Sequence, residues 1–513
     1  MSNLQRLIRE VNKLSFSDLN LSVLLEMDKY GAFGEGINIF LEENRFTKEV
    51  YSSRQGTDRL ITKLLTSYVL EMYIAFSTGD RQLYIDKPYW MSKQPKYNPK
   101  MHLLTSIIFN FYNDFHPKKN LLLGSIATLL LPITYEQIDL QDGYENHFNR
   151  FFAIYGSNTE INQLYKDKYN ISLKRYMALS WGLFAYVFKK NKFSTSDFIE
   201  FMRSTIATHE EINTFLNLIS LTREEFKHRY EIFRKHDDGT YLDWTDREAV
   251  DKALPRISYF YPLIRDGKTY SLISYTAIQE FLKFKGLYRS MTEGLRDLHF
   301  KQRYSGPLFE DYVRQLALKY NMTNKLHANI YGDEKYNISK GKEKREPDTI
   351  IETDEYIVMI ECKTSPFSLN LVKYLDAYHL HILQKSIEKS VKNFDTFLTY
   401  RAKNTVGKKM TKIIVFYEGI HMAFTMLKSE IENLSNKTDV FVMDIESLEL
   451  LLSEYTQPIP NILDCFLASE KLDSINLNGY IRSTLKNQAI FAEENEILHN
   501  IVQEELGLAI AEH

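Results

Sequence analysis

The clearest pattern in the chain is the apolar run Tyr356–Ile360, which ends in Glu361, Cys362 and Lys363. An apolar run of this length without alternation predicts a strand that is buried on both faces of a sheet. Side chains alternate along a strand, so Glu361 and Lys363 should project from the same face.

Other segments of the C-terminal third predict a full set of α/β elements around this strand. Strands are predicted at about His327–Gly332, Thr349–Ile351, Lys412–Tyr417 and Asp439–Ile445, and helices at Gly306–Val313 and Ser447–Leu452. We therefore expect an α/β domain with a mixed sheet flanked by helices.

The first 290 residues have a helical pattern instead. Amphipathic runs cover Leu4–Lys29, Asp58–Phe76, Met101–Phe115 and Leu173–Phe188. Helix starts are predicted at Ser194–Asp197 and at Thr222–Glu225, which has the capping-box pattern. The sequence thus predicts a mainly α-helical region at 1–290, an α/β domain at 291–458 and a helical tail at 459–513.

Charged side chains at the end of a buried strand need compensation. Asp348 follows Pro347 and opens the strand before Tyr356–Lys363, so Asp348 and Glu361 are expected to lie close together. Burying such groups without partners would cost several kcal/mol. A divalent cation held between Asp348 and Glu361 would compensate them. The alternative is an ordinary β-hairpin in which Glu361 and Lys363 form an exposed ion pair.

These residues resemble the PD-(D/E)xK nuclease superfamily. The helix at Gly306–Val313 begins with the Gly-x-x-Phe-Glu pattern common there, and the element order from about Phe300 to Tyr455 is similar. The resemblance implies a restriction-endonuclease-like fold and a Mg²⁺-dependent nuclease in which Mn²⁺ can substitute. It implies Asp348, Glu361 and the backbone carbonyl of Cys362 as metal ligands and Lys363 as a catalytic residue. Glu310 either joins the metal shell or hydrogen-bonds within its helix.

Charge distribution suggests where a nucleic acid would bind. The net charge of −3 gives no global basic field, so any nucleic-acid surface must be local. Two basic segments, Lys335–Arg345 and Arg401–Lys412, are predicted to be loops beside the Asp348 site, although such loops are often only solvated. The candidate phosphate contacts are Lys340, Lys342, Lys344, Arg345, Lys408 and Lys409.

Composition limits the setting. Two cysteines exclude a structural zinc site of the usual spacing and fit a reducing compartment. The first residues lack a signal-peptide pattern, and the longest apolar stretch is too short to cross a bilayer. We expect a cytoplasmic protein without a membrane partner.

Two functions are compatible with the sequence. One is a Mg²⁺-dependent endonuclease acting on double-stranded DNA, in prokaryotic antiviral defence or restriction. The other is a catalytically inactive nuclease fold that binds nucleic acid or serves as a scaffold. In either case the N-terminal region and the C-terminal helix are candidate surfaces for a homo-oligomer or partner proteins.

Overall fold

The computed structural model describes residues 144–233, 257–295, 300–339, 342–364, 377–402, 405–417, 440–453 and 458–467, with the single positions 71, 74, 477, 480, 481 and 505. The chain divides into two units. Among described elements, those up to residue 293 belong to the first unit, together with Glu505, and those from 294 to 481 belong to the second.

Helices dominate the described part of the first unit. They are α1 (Tyr144–Phe151), α2 (Thr159–Tyr169), α3 (Leu173–Val187), α4 (Thr195–Phe201), α5 (His209–Leu218), α6 (Arg223–Phe233), α7 (Ile257–Phe260), α8 (Tyr275–Phe281) and α9 (Arg289–Gly294), with π-helical turns at Phe152–Gly156 and Phe284–Tyr288. The predicted helices within 1–142 lie outside the described residues, apart from positions 71 and 74.

Capping explains where several of these helices begin. Ser194 caps α4 and forms a capping box with Asp197. The predicted box before α6 is also present, since the Thr222 N–H donates to Glu225 and the Glu225 N–H donates to Thr222 Oγ1. Each box satisfies backbone donors that the first helical turn leaves without partners.

A small sheet in the first unit was not predicted. Its strands are β1 (Lys192–Ser194), β2 (Ser220–Leu221), β3 (Leu263–Asp266) and β4 (Thr269–Leu272), in the order β1-β4-β3-β2. Strands of two to four residues are too short to show a period-2 pattern. The description of this region as mainly helical therefore needs this addition.

The second unit contains a five-stranded mixed sheet. Its strands are β5 (Asn329–Tyr331), β8 (Thr349–Glu352), β9 (Tyr356–Lys363), β10 (Lys409–Phe416) and β11 (Val440–Asp444), in the order β11-β10-β9-β8-β5. β10 runs parallel to both β9 and β11, whereas β8 is antiparallel to β9 and β5. The central strands form the core, because Ile357–Ile360 and Ile413–Val415 are almost fully buried.

Helices flank this sheet, as expected. They are α10 (Gly306–Asn324), preceded by a π-helical turn at Lys301–Ser305, then α11 (Ala377–Tyr400), α12 (Ile445–Ser453) and α13 (Ile459–Leu467). α10 packs on β5, β8 and β9, α11 and α12 on β10, and α13 on β9 and β10. The predicted strands and helices of the C-terminal third are all present.

The first basic segment is a hairpin and not a loop. β6 (Lys335–Ser339) pairs with β7 (Lys342–Arg345) directly before the Asp348 strand. Tyr336 of β6 stacks on Tyr400 of α11 with ring centroids 4.5 Å apart. The hairpin is therefore fixed to α11.

A polar cluster joins β8, α11 and the start of β10 at one end of the sheet. Glu352 accepts hydrogen bonds from Tyr331 (2.6 Å), Arg401 (3.0 Å) and Lys408 (2.9 Å). Burial alone would raise the pKa of Glu352, but these three donors bind the ionised form and lower its pKa overall. Within the described part of the chain, no helix is long and apolar enough to cross a membrane.

Candidate active site

A polar cavity of about 470 Å³ lies at the other end of the sheet, where β9 ends. It is bordered by the first turn of α10, the β6–β7 hairpin and the middle of α11. The cavity brings together four of the predicted catalytic residues, namely Glu310, Asp348, Glu361 and Lys363.

Asp348 is positioned by the backbone around it. Thr349 pairs with Ile360 across β8 and β9, so Asp348 lies beside the end of β9. Asp348 Oδ2 accepts a hydrogen bond from the backbone N–H of Cys362 at 2.7 Å, and its carbonyl accepts one from Arg314 at 3.0 Å. Both contacts restrict where the carboxylate can point.

Gly332 packs directly against the backbone of Asp348. Its φ is +141°, and a Cβ there would lie 2.6 Å from Pro347 O and 2.8 Å from Asp348 O. The next residue, Asp333, donates its N–H to Pro347 O at 3.0 Å. Glycine is thus required at 332 both by backbone conformation and by space.

Glu361 and Lys363 share one face of β9, as predicted. Lys363 Nζ lies 3.2 Å from Glu361 Oε2. Asn393 of α11 donates to the other carboxylate oxygen, Oε1, at 2.6 Å. Glu361 is 7% exposed, so the alternative of a solvated ion pair on a hairpin is wrong for this residue.

Glu310 reaches the cavity because Phe309 anchors its helix. Phe309 is fully buried and makes an edge-on contact with Tyr417, with ring centroids 5.3 Å apart. Tyr417 follows β10 and donates its backbone N–H to Lys363 O at 2.9 Å. The Phe-Glu pair therefore places one side chain in the core and the next beside the strand ends.

Six acidic and six basic side chains border the cavity. Burial, with the charges of Glu361 and Glu310, raises the pKa of Asp348 well above its usual value. Burial also raises the pKa of Glu310, helped by Asp333 and Glu361. Burial lowers the pKa of Lys363, but Glu361 and Asp348 outweigh that effect and raise it overall. Burial is thus the first cause of the raised pKa of both Asp348 and Glu310.

The donor set fits a hard divalent cation. Within the described residues, no group of three or more His, Cys, Asp or Glu side chains is arranged to hold a metal ion. Mg²⁺ does not need such a cage, because it is usually held by one or two carboxylates, several waters and substrate phosphate. Asp348 and Glu361 supply the carboxylate oxygens that such a site requires.

Cys362 borders the cavity through its backbone. Its N–H binds Asp348, as described above, and its carbonyl remains a predicted metal ligand. Burial, followed by the charges of Asp348 and Glu310, raises the pKa of its thiol well above the usual value. The thiol therefore stays protonated near neutral pH and is a poor metal ligand.

The basic residues divide into two groups. Lys344 and Arg345 border the cavity, and Arg345 forms an ion pair with Asp333 at 2.9 Å. Lys342 lies in β7, although its side chain is outside the described part of the structure, as is the whole of Lys340.

Lys408 and Lys409 do not lie beside the site, and that expectation was wrong. β10 runs parallel to β9, so Lys409 pairs with Tyr356 and it is Phe416 that pairs with Lys363. Seven residues of strand separate the two ends by about 23 Å. Lys408 is bound to Glu352, and Lys409 to Asp464 and the Pro460 carbonyl.

The site also contains residues that the sequence did not reveal. Asn393 binds Glu361, and Lys389, Lys392 and Thr396 of the same helix border the cavity. Their i, i+3, i+4, i+7 spacing is the one available signal, since it places them on one face of an amphipathic helix.

No protein-family model matches this chain, and a comparison with curated proteins gives no significant match. A function therefore has to be inferred from the site itself.

Proposed function

We propose that this protein is a metal-dependent nuclease of the PD-(D/E)xK type, with a restriction-endonuclease-like fold in its second unit. One observation carries the proposal. Asp348 and Glu361 come from adjacent strands, and they meet Lys363 and Glu310 in a single polar cavity at the end of a mixed sheet.

Asp348 and Glu361 would hold Mg²⁺ or Mn²⁺, with the Cys362 carbonyl as a further ligand. When bound, such an ion polarises the phosphate and makes a hydroxide available near neutral pH. Lys363 would stabilise the negative charge that grows on the phosphate oxygens or orient the attacking water. Asn393 holds Glu361 in place for this task, and Glu310 supplies a further carboxylate at the edge of the cavity.

The substrate we propose is nucleic acid, with double-stranded DNA as the first choice. The phosphodiester bond would be hydrolysed by water, which adds to phosphorus while a sugar oxygen leaves. Antiviral defence or restriction in a prokaryotic cytoplasm would be a suitable setting, with the first unit selecting substrates or partners. The biological setting and the role of the first unit are both part of the proposal, and both follow from the resemblance described above.

The test uses the full chain with supercoiled plasmid, linear duplex and single strands, in Mg²⁺, Mn²⁺ or a chelator. Asp348→Ala, Glu361→Ala and Lys363→Ala should each lower cleavage by roughly a hundredfold or more. Calorimetric titration with Mn²⁺ should show weak binding by the two carboxylate variants and near-normal binding by Lys363→Ala. Glu388→Ala, an exposed carboxylate on α11 that does not border the cavity, is the matched control.

Two results would count against the proposal. Wild-type cleavage by Lys363→Ala would remove its catalytic role. Mn²⁺ binding without cleavage of any substrate would favour the catalytically inactive nucleic-acid-binding protein instead.

A further inference from the structure

The middle of α11 has two different faces. One face is buried against the rest of the second unit and contains Ile387, Val391, Phe394 and Phe397. The other face borders the cavity and contains Lys389, Lys392, Asn393 and Thr396. A polar helix face usually meets only bulk solvent, whereas this one lies next to Glu361.

Three of the six cations that border the cavity have a carboxylate partner. Lys335 pairs with Glu343 at 2.9 Å, Arg345 with Asp333 at 2.9 Å and Lys363 with Glu361 at 3.2 Å. Three lysines differ from these. Lys344, Lys389 and Lys392 are exposed, and within the described residues none of them forms an ion pair.

We infer that Lys389 and Lys392 of α11, with Lys344 of the hairpin, bind backbone phosphates of a nucleic-acid strand. These phosphates neighbour the scissile phosphate of the same strand. This inference rests on the proposed function and assigns its substrate a path along α11. Three unpaired ammonium groups around a carboxylate-lined cavity suit a polyanion that carries several separate charges.

The helix spacing agrees with this path. Lys389 and Lys392 are three residues apart, which places them about 4.5 Å apart along the helix axis. Two flexible lysine side chains at that separation can each contact a different phosphate.

The contacts are with the backbone, so they should not depend on base sequence. Asn393 and Thr396 follow the two lysines on the same face. Asn393 donates to Glu361 and the Thr396 hydroxyl donates to the Lys392 carbonyl, so on this face the two lysines supply the phosphate contacts. The strand would thus pass along α11 with its scissile phosphate beside Asp348 and Glu361.

The test measures binding and cleavage separately. Fluorescence anisotropy of a labelled 20-mer, as a duplex and as a single strand, is recorded in Ca²⁺ over a range of salt, and a gel confirms that the oligonucleotide stays intact. The variant is Lys389→Gln with Lys392→Gln. The control is Lys408→Gln with Lys409→Gln, which also removes two positive charges but at the opposite end of the sheet, and Lys409→Gln alone is measured beside it.

The double variant should bind both forms more weakly and lower the slope of log K against log salt by about 0.7–0.9 for each lost contact. Its Mn²⁺ affinity and thermal midpoint should match wild type, because both lysines are exposed. Both control variants should leave the salt slope unchanged.

Wild-type affinity and slope in the double variant would overturn the inference and leave the proposed nuclease untouched. Salt-sensitive binding that depends on the two lysines, in a protein that never cleaves, would support the inference and overturn the proposed activity. Failure of the wild-type chain to bind either oligonucleotide would overturn both.

Discussion

Gly332→Ala is the most direct test of how the fold positions the site. Gly332 does not border the cavity, yet its backbone packs on the backbone of Asp348. An added Cβ would lie 2.6 Å from Pro347 O, 2.8 Å from Asp348 O and 3.0 Å from Asp348 C. Relief of these overlaps requires movement of the peptide that carries the proposed metal ligand.

Two effects set the expected magnitude. A φ of +141° is disfavoured for alanine and costs about 1–3 kcal/mol. Steric overlap with backbone atoms adds roughly 1–3 kcal/mol, as overpacking does elsewhere. We therefore expect the free energy of unfolding to fall by about 2–5 kcal/mol.

Gly407→Ala separates the two effects. Gly407 also has a positive φ, +82°, but a Cβ there would meet no atom within 4 Å. Its cost should be about 1 kcal/mol, since only the backbone conformation is disfavoured. In urea unfolding, Gly332→Ala should lose more stability than Gly407→Ala, because only Gly332→Ala adds steric overlap to an unfavourable backbone conformation.

Metal binding supplies the functional measurement. A shift of Asp348 by a few tenths of an ångström should weaken Mn²⁺ binding at least about tenfold in Gly332→Ala, as loss of ligand orientation commonly does. Gly407→Ala should bind Mn²⁺ as wild type does. Calorimetry is done on samples that circular dichroism shows to be folded. If both variants lose equal stability and keep wild-type affinity, Gly332 does not position Asp348.

Two further predictions follow from single contacts. Asn393→Ala removes the 2.6 Å hydrogen bond to Glu361. It should weaken Mn²⁺ binding by about tenfold and lower stability by only about 1 kcal/mol. Unchanged titration curves would show that Glu361 does not need the hydrogen bond from Asn393 to bind metal. Glu352→Gln should lower stability at pH 7 by about 1–3 kcal/mol. The lowered pKa of Glu352 means that its contribution is present above the unfolded pKa and is lost as pH falls through the folded value. Urea midpoints of Glu352→Gln should therefore decline less than those of wild type between pH 5 and pH 3, and parallel declines would contradict this.

The sequence predicted the second unit well because its strongest signals are local. The buried strand at Tyr356–Lys363 shows an uninterrupted apolar run, and the Phe309-Glu310 pair shows one core and one polar position in consecutive residues. Each pattern depends only on neighbouring residues, so it can be recognised without knowledge of the fold. Asp348 and Glu361 were expected to be close because a short turn links their strands.

Contacts between distant segments could not be predicted in the same way. Asn393 follows Glu361 by 32 residues, and no spacing rule connects a helix position to a strand position at that separation. No sequence pattern indicates the role of Gly332 either, since many glycines occur in turns without touching a functional residue. Both depend on how α11 and β5 pack, which is a property of the whole sheet.

The wrong prediction for Lys408 and Lys409 shows what strand topology adds to the sequence pattern. Two strands joined by a long helix are usually parallel, because the helix carries the chain back along the sheet. A parallel β10 must bring its last residues, Phe416 and Tyr417, beside Lys363 and its first residues beside Tyr356. That inference needs only the order of strand, helix and strand along the chain. It would have moved Lys408 and Lys409 to the end of the sheet where they bind Glu352 and Asp464.

The carboxylates at the two ends of the sheet, Glu352 and Asp348, have different surroundings. This difference supports the proposed cation site. Glu352 has a hydroxyl, a guanidinium and an ammonium group around it, and its pKa is lowered. Asp348 has one backbone N–H and two neighbouring carboxylates, and its pKa is raised. A fold under pressure only for stability would gain by replacing Asp348 with a neutral residue. In the function that we propose, a divalent cation bound by Asp348 and Glu361 would compensate these carboxylates, as the three donors compensate Glu352 at the other end of the sheet.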